Sequence, residues 1–191
     1  MLQTLPGVAL AWVGTAAGLA VGQDEVGGEV LAIAIALGLV CYVAAHTFTR
    51  SPGWMAVFLA GLSSAVGILA ARLPWLAETQ ARWWAAGWAL AGMGAAAGLG
   101  RALRRGLCPL YGPLWFAAWL LIAGMAGTLL MGLKGEWLWV EAAVSLIVFG
   151  GLAAAWFARF ADDLPSHGAM DLYLVSLNLF LAAGYLRTSP L

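Results

Sequence analysis

Residues 113–133 read PLWFAAWLLIAGMAGTLLMGL, without a single charge. The hydrocarbon core of a bilayer is about 30 Å thick, so roughly 20 mainly apolar residues cross it as a helix. This stretch is long enough, and so are six others: 5–22, 27–47, 54–73, 82–101, 138–160 and 168–187. None alternates apolar and polar residues with a period of two, which excludes lipid-exposed barrel strands. A crossing segment must satisfy its own backbone hydrogen bonds, so each is expected to be helical. The expected fold is all-α: a polytopic membrane protein, a bundle of seven transmembrane helices, with residues 1–191 forming one domain.

The composition agrees. The chain is 63% hydrophobic and 9% charged, and its mean hydropathy is +0.91, which leaves almost nothing for a soluble domain. No polar, Ser-rich or Pro-rich linker divides it. Nine basic residues balance nine acidic ones, so bulk charge points to no nucleic-acid partner. Eight of the nine basic residues are Arg, and Ala, Gly and Trp abound, a bias that fits a GC-rich bacterial genome. Cys41 lies in an apolar run and Cys108 in a basic join. Two such isolated cysteines make neither a disulfide framework nor a metal motif. Met1 to Pro6 lacks a positive leader region, so the first span is expected to be retained.

The joins between spans are short. Pro52 and Gly53 are expected to break the chain before the third span. Leu73 to Arg82, Arg101 to Gly112 and Ala161 to Gly168 are read as loops. Lys and Arg accumulate on the cytoplasmic side of short loops. Alternate joins carry Arg50, Arg101, Arg104, Arg105 and Arg159 on one side, and Arg72, Arg82, Lys134 and Arg187 on the other. The cluster at 101–105 decides the orientation: N-terminus cytoplasmic, C-terminus outside, in a bacterial inner membrane.

Small residues recur every fourth position: Gly14, Gly18 and Gly22 in the first span, Gly94 and Gly98 in the fourth. Such stripes let helix backbones approach where lipid supplies no hydrophobic force between them. Each serves either packing within the chain or docking of another subunit. Trp54, Trp75, Trp83, Trp84, Trp137 and Trp139 fall near span ends, where indole rings anchor at headgroup level. Trp88, Trp115, Trp119 and Trp156 lie deeper and are free to fill the interior, face lipid or meet a partner.

The last two spans carry a family signature. Residues 146–160 read LIVFGGLAAAWFARF and residues 169–181 read AMDLYLVSLNLFL. They resemble the Bax inhibitor (transmembrane Bax-inhibitor-motif) family, whose sixth helix has the form F-S-G-L-x-x-x-D-T-x-x-I or R-I. Its seventh has the form A-L-x-L-Y-L-D-x-I-N-L-F-L. Phe149, Gly151, Leu152 and Arg159 match in the sixth span. Ala169, Leu172, Tyr173, Leu174, Asn178, Leu179, Phe180 and Leu181 match in the seventh. The basic turn leading into YGPLWFAAWLLIAGMAGTLL is similar to the family's join into its fifth helix. The resemblance implies seven spans, no large extramembrane domain, and a divergent bacterial member.

The departures bear on function. Family members that act as pH-sensitive calcium leaks carry one aspartate on each of these two helices, facing each other at the closed pore. The resemblance puts Trp156 and Val175 at those positions, and neither ionises. Two carboxylates sharing a proton can gate a cation path, whereas a Trp and a Val present bulk and an apolar plug.

Charges inside a membrane are costly and are functional candidates by default. Two carboxylates qualify: Glu141 near the start of the sixth span and Asp171 in the first turn of the seventh. A helix N-terminus stabilises a carboxylate, so capping accounts for Asp171 as well as an ion or proton role does. Glu141 is expected at headgroup level, toward Lys134. His46 and His167 fall in or beside joins, which disfavours an axial haem pair. Asp162 and Asp163 read as a solvated turn beside Arg159. Asn178 is expected to hydrogen-bond across helices. No catalytic or phosphate-loop motif is present. The expectation is a non-enzymatic protein without metal or cofactor. It would contact the bilayer and other integral membrane subunits, as an accessory or scaffolding subunit of a larger inner-membrane complex. The competing expectation is a pH-sensitive cation (calcium) leak that uses Asp171 or Glu141.

Overall fold

The computed structural model describes residues 4–22, 27–47, 52–130, 136–160 and 168–188. They are all-helical, with no strand among them. The long helices are α1 (Thr4–Gly22), α2 (Gly28–Thr47), α3 (Pro52–Ala70), α4 (Thr79–Ala102), α6 (Tyr111–Leu130), α7 (Glu136–Arg159) and α8 (Gly168–Thr188). A four-residue helix, α5 (Arg104–Leu107), and two 3-10 turns, Pro74–Leu76 and Cys108–Leu110, fill the joins on either side of α4.

Seven long helices therefore stand close to the seven sequence spans, with three corrections. Pro52 and Gly53 do not precede the third helix but open it. The first N–H groups of a helix have no intrahelical acceptor, so a proline there loses nothing. Pro6 in α1 and Pro113 in α6 occupy first turns for the same reason. At the other end α3 stops at Ala70 rather than continuing to residue 73, because Pro74 starts a separate 3-10 turn. The basic join is not an open loop, since α5 and the turn Cys108–Leu110 coil it almost without interruption into α6.

Four stretches are long and apolar enough to cross a membrane: Gly53–Ala70, Arg104–Gly124, Trp137–Arg159 and Gly168–Arg187. Pro6–Gly22 and Gly28–Ala44 are apolar but shorter. At 24 residues, α4 is about 36 Å long. It is not among the four, because Gly and Trp stand where the others carry Leu, Ile and Val.

The chain divides into two compact units, residues 1–77 with 164–173, and residues 78–163 with 174–191. In the first, α3 packs against both α1 and α2. The α1 stripe makes the closest approach. A Cβ at Gly18 would fall on the Ser64 carbonyl oxygen, and one at Gly67 on the Thr15 carbonyl oxygen. Gly14 approaches Ser63 and Ala60 on the same face, and Gly22, less closely, approaches Ile68 and Ala71. The two backbones touch because neither side has a side chain to hold them apart. Gly61 admits the Cys41 sulfur from α2 in the same way.

In the second unit α7 is the centre, with α4, α5 and α6 against it. Ala81, Ala85, Ala89, Ala96 and Gly100 form the buried seam of α4 at helical spacing. Gly100 lies against Ala154, Phe157 and Ala158 of α7. The other stripe behaves differently: around Gly87, Gly94 and Gly98 a Cβ would meet no described atom within 4 Å. Of the two readings of small-residue spacing, α1 therefore uses packing within the chain, while α4 leaves Gly87, Gly94 and Gly98 open.

Gly18→Ala should destabilise the protein by about 1–3 kcal/mol through overpacking. Gly94→Ala should be neutral or gain up to about 1 kcal/mol from helix propensity. Thermal unfolding in one neutral detergent separates the two. Equal effects would refute the asymmetry between the stripes.

Candidate functional site

The last helix shows no apolar side: hydrophobic residues surround α8, as expected of a helix enclosed all round. It is the most buried of the four membrane-length stretches. Its first two turns carry Asp171 and Tyr173. Asp171 is 2% exposed, and Tyr173 is fully buried. Both belong to the first unit, where they meet α1 and α2.

Tyr173 points its hydroxyl at Thr15 of α1, with Oη and Oγ1 2.8 Å apart. Thr15 Oγ1 also lies 3.0 Å from the Ala11 carbonyl oxygen, to which it donates. A hydroxyl has one proton, so the order of donation follows: Tyr173 donates to Thr15, and Thr15 donates to Ala11. Thr15 is itself fully buried, so this short chain satisfies two hydroxyls that no solvent reaches. Trp12, one helical turn before Thr15, sets its ring edge-on to Tyr173 with centroids 6.1 Å apart. Asp171 acts electrostatically on Tyr42 of α2. The site thus gathers Thr15 and Trp12 from α1 and Tyr42 from α2 around the first two turns of α8. Sequence reasoning found Asp171, and Tyr173 only as a motif residue. It missed Thr15, Tyr42 and Trp12, which lie more than 120 residues away in the chain and carry no local signal.

Apart from Ala169 and Leu172, the remaining motif residues lie in the second unit. Trp156 is 2% exposed and Val175 fully buried, so the two positions that the family resemblance assigns to acids are enclosed and apolar here. The Trp156 ring packs on Phe157 and Phe160, with centroids 5.3 and 5.4 Å away. Arg159 is exposed, and its guanidinium lies 4.9 Å from the centre of the Tyr111 ring. Tyr111 in turn meets Phe160 edge-on. Gly151 faces Leu114 of α6 at a distance that would also admit alanine. Asn178 does not reach across helices as expected: its Nδ2 donates to the Leu174 carbonyl of its own helix at 2.8 Å. A side chain one turn below a carbonyl reaches it without any tertiary partner.

Glu141 is half-buried in the second turn of α7, with its Oε2 enclosed. Lys134, Asp162, Asp163 and His167 fall outside the described residues, as does the side chain of His46 in the last turn of α2. Among the described residues no three His, Cys, Asp or Glu side chains gather as a metal site would require. The deeper tryptophans separate: Trp156 fills the interior, Trp115 is half-buried, and Trp88 and Trp119 face outward.

Comparison with protein-family models, curated proteins and solved structures returned no match for this chain.

Thr15→Val removes the acceptor of the buried Tyr173 hydroxyl and should cost about 1–3 kcal/mol. Tyr173→Phe leaves Thr15 bonded to Ala11 and should cost about 1 kcal/mol or less. The double variant should cost less than the sum of the two. Thermal unfolding of the four proteins checks the order. A Tyr173→Phe loss larger than that of Thr15→Val would reverse the assigned donor.

Proposed function

We propose that the chain is a multi-pass protein of a bacterial inner membrane, with its seven long helices crossing the bilayer and its N-terminus in the cytoplasm. On this reading it is a divergent relative of the Bax inhibitor family. It serves, without catalysis or cofactor, as an accessory or scaffolding subunit of a larger membrane complex.

The open face of α4 carries this reading. Gly87, Ala91, Gly94 and Gly98 line up at helical spacing, all exposed, beside the exposed Trp83 and Trp88. A helix this poor in Leu, Ile and Val gains little from acyl chains. Its small residues admit a second helix to backbone contact. The enclosed Trp156 and Val175 add support, since an apolar pair offers no switch to an ion route.

Gly94→Leu with Gly98→Leu should block that approach. Loss of 1–2 kcal/mol of helix–helix packing lowers a partner's yield by about tenfold. Purification in mild detergent with mass spectrometry of co-purifying proteins reads the change. A protein that runs alone before and after the substitution defeats the subunit reading.

A second reading rests on Asp171. A carboxylate 2% exposed, among apolar helices and beside a chain of hydroxyls, is costly to keep and marks ion or proton traffic by default. On this reading the protein leaks cations, calcium among them, in a pH-sensitive way. Proteoliposome flux tests it: Asp171→Asn should slow the leak by roughly tenfold or more, equivalent to about 1.4 kcal/mol on the barrier. Flux indistinguishable from empty vesicles in the unaltered protein eliminates the leak.

A further inference from the structure

Among the described residues, Asp171 is the one carboxylate at its end of the first unit. Ala169 meets Gly7 and Tyr173 meets Thr15, so the start of α8 lies along the first part of α1. Gly22, at the far end of α1, meets Ala71. Neither α1 nor α3 holds an ionisable residue anywhere along its length. On α2 the ionisable residues are Glu29, Cys41, Tyr42 and His46. Cys41 meets Gly61 and Gly38 meets Ala65, so α2 runs antiparallel to α3. That carries Glu29 to the opposite end, thirteen residues before Tyr42 and about 20 Å along the helix. Arg72, just beyond α3, is at that opposite end too. Near Asp171 the described titratable groups are therefore Tyr42, Cys41 and Tyr173, none of them a second acid. The His46 side chain, one turn beyond Tyr42, lies outside the described residues, as does His167.

We propose that the ion handled at Asp171 is a proton, carried on its carboxyl group, and not a metal cation. A calcium ion takes about six to eight oxygen ligands, carboxylates among them. One carboxylate beside a phenol falls short of that, and the Thr15 and Tyr173 hydroxyls are already engaged with each other. Among the described residues no three His, Cys, Asp or Glu side chains gather to make up the set. A proton needs a single oxygen. Its addition turns the carboxylate into a neutral carboxylic acid, which removes the cost of a charge held 2% exposed between apolar helices. Its release restores the carboxylate, so each cycle moves one positive charge and no other atom. Tyr42, on which Asp171 acts, supplies a protic group on the α2 side.

This inference rests on the second reading above, that Asp171 carries ion traffic, and narrows it to one species. Proteoliposomes holding the full chain are loaded with a pH-sensitive dye or with a calcium-sensitive dye. A potassium gradient with valinomycin supplies the driving voltage. Proton flux above that of empty vesicles, with calcium flux no greater than theirs, is the expected result. Asp171→Asn should lower the proton flux about tenfold or more. Asp171→Glu keeps a carboxyl group and should retain a measurable part of the flux. Glu141→Gln, in the second unit, should change nothing. Difference infrared spectroscopy of the detergent-solubilised protein gives a readout apart from transport. A pH-dependent carboxyl stretch should be present, shifted in Asp171→Glu and missing in Asp171→Asn. Calcium flux that Asp171→Asn abolishes would overturn the inference and leave the leak reading standing. Flux of neither ion would end both. Proton flux that survives Asp171→Asn, an equal loss in Glu141→Gln, or a carboxyl band unmoved in Asp171→Glu would each remove Asp171 as the carrier.

Discussion

Contact between the α1 and α3 backbones sets the geometry of the first unit. Gly18 and Gly67 meet with no side chain between them, flanked by Gly14 and Gly22 on the same face. In a membrane, lipid tails are as apolar as leucine, so helices gain little by hiding hydrophobic surface from one another. Close packing and hydrogen bonds have to hold them instead. The same contact positions chemistry. Gly67 approaches the carbonyl of Thr15, so the glycine seam also fixes the residue whose hydroxyl receives Tyr173. Packing and polar satisfaction are thus one arrangement: the approach that brings α3 against α1 holds Thr15 for α8.

The second unit uses alanine where the first uses glycine. Its α4 seam runs through Ala81, Ala85, Ala89 and Ala96 before a single glycine, Gly100, makes a backbone approach to α7. Alanine costs less than glycine in a helix, so a seam built from it allows a longer helix at the same register. The consequence appears on the other side. With the alanines facing α7, the glycines at 87, 94 and 98 turn outward. The basic end of the unit follows from that packing too. Gly100 fixes the end of α4 beside α7, which brings Arg101 and the α5 arginines to the end of the unit that carries Arg159.

The helices were legible because their signal is local. Charge-free stretches such as 113–133 declare a helix through length and apolarity alone, and the observed ends lie within a few residues of those read from sequence. The misplaced start of α3 has a local cause: Pro52 reads as a breaker, although a proline in a first turn begins a helix. The short hydrogen bond of Asn178 shows the converse error, since a polar residue in an apolar helix can be satisfied by its own backbone. The division into two units left no mark in composition, because no polar linker separates them and α8 contributes residues to both.

Sequence by itself determined which segments are helical, that they are apolar enough to suit a bilayer, and which few residues carry charge among them. Those properties belong to single stretches of chain and need no partner. Tertiary structure alone decided that Asp171 is enclosed, that Tyr173 meets Thr15, that Trp156 turns inward while Trp88 turns outward, and that one glycine stripe is used while the other stays open. Each of these depends on which face of a helix meets another. A segment that is apolar on every side carries no pattern from which to read that face.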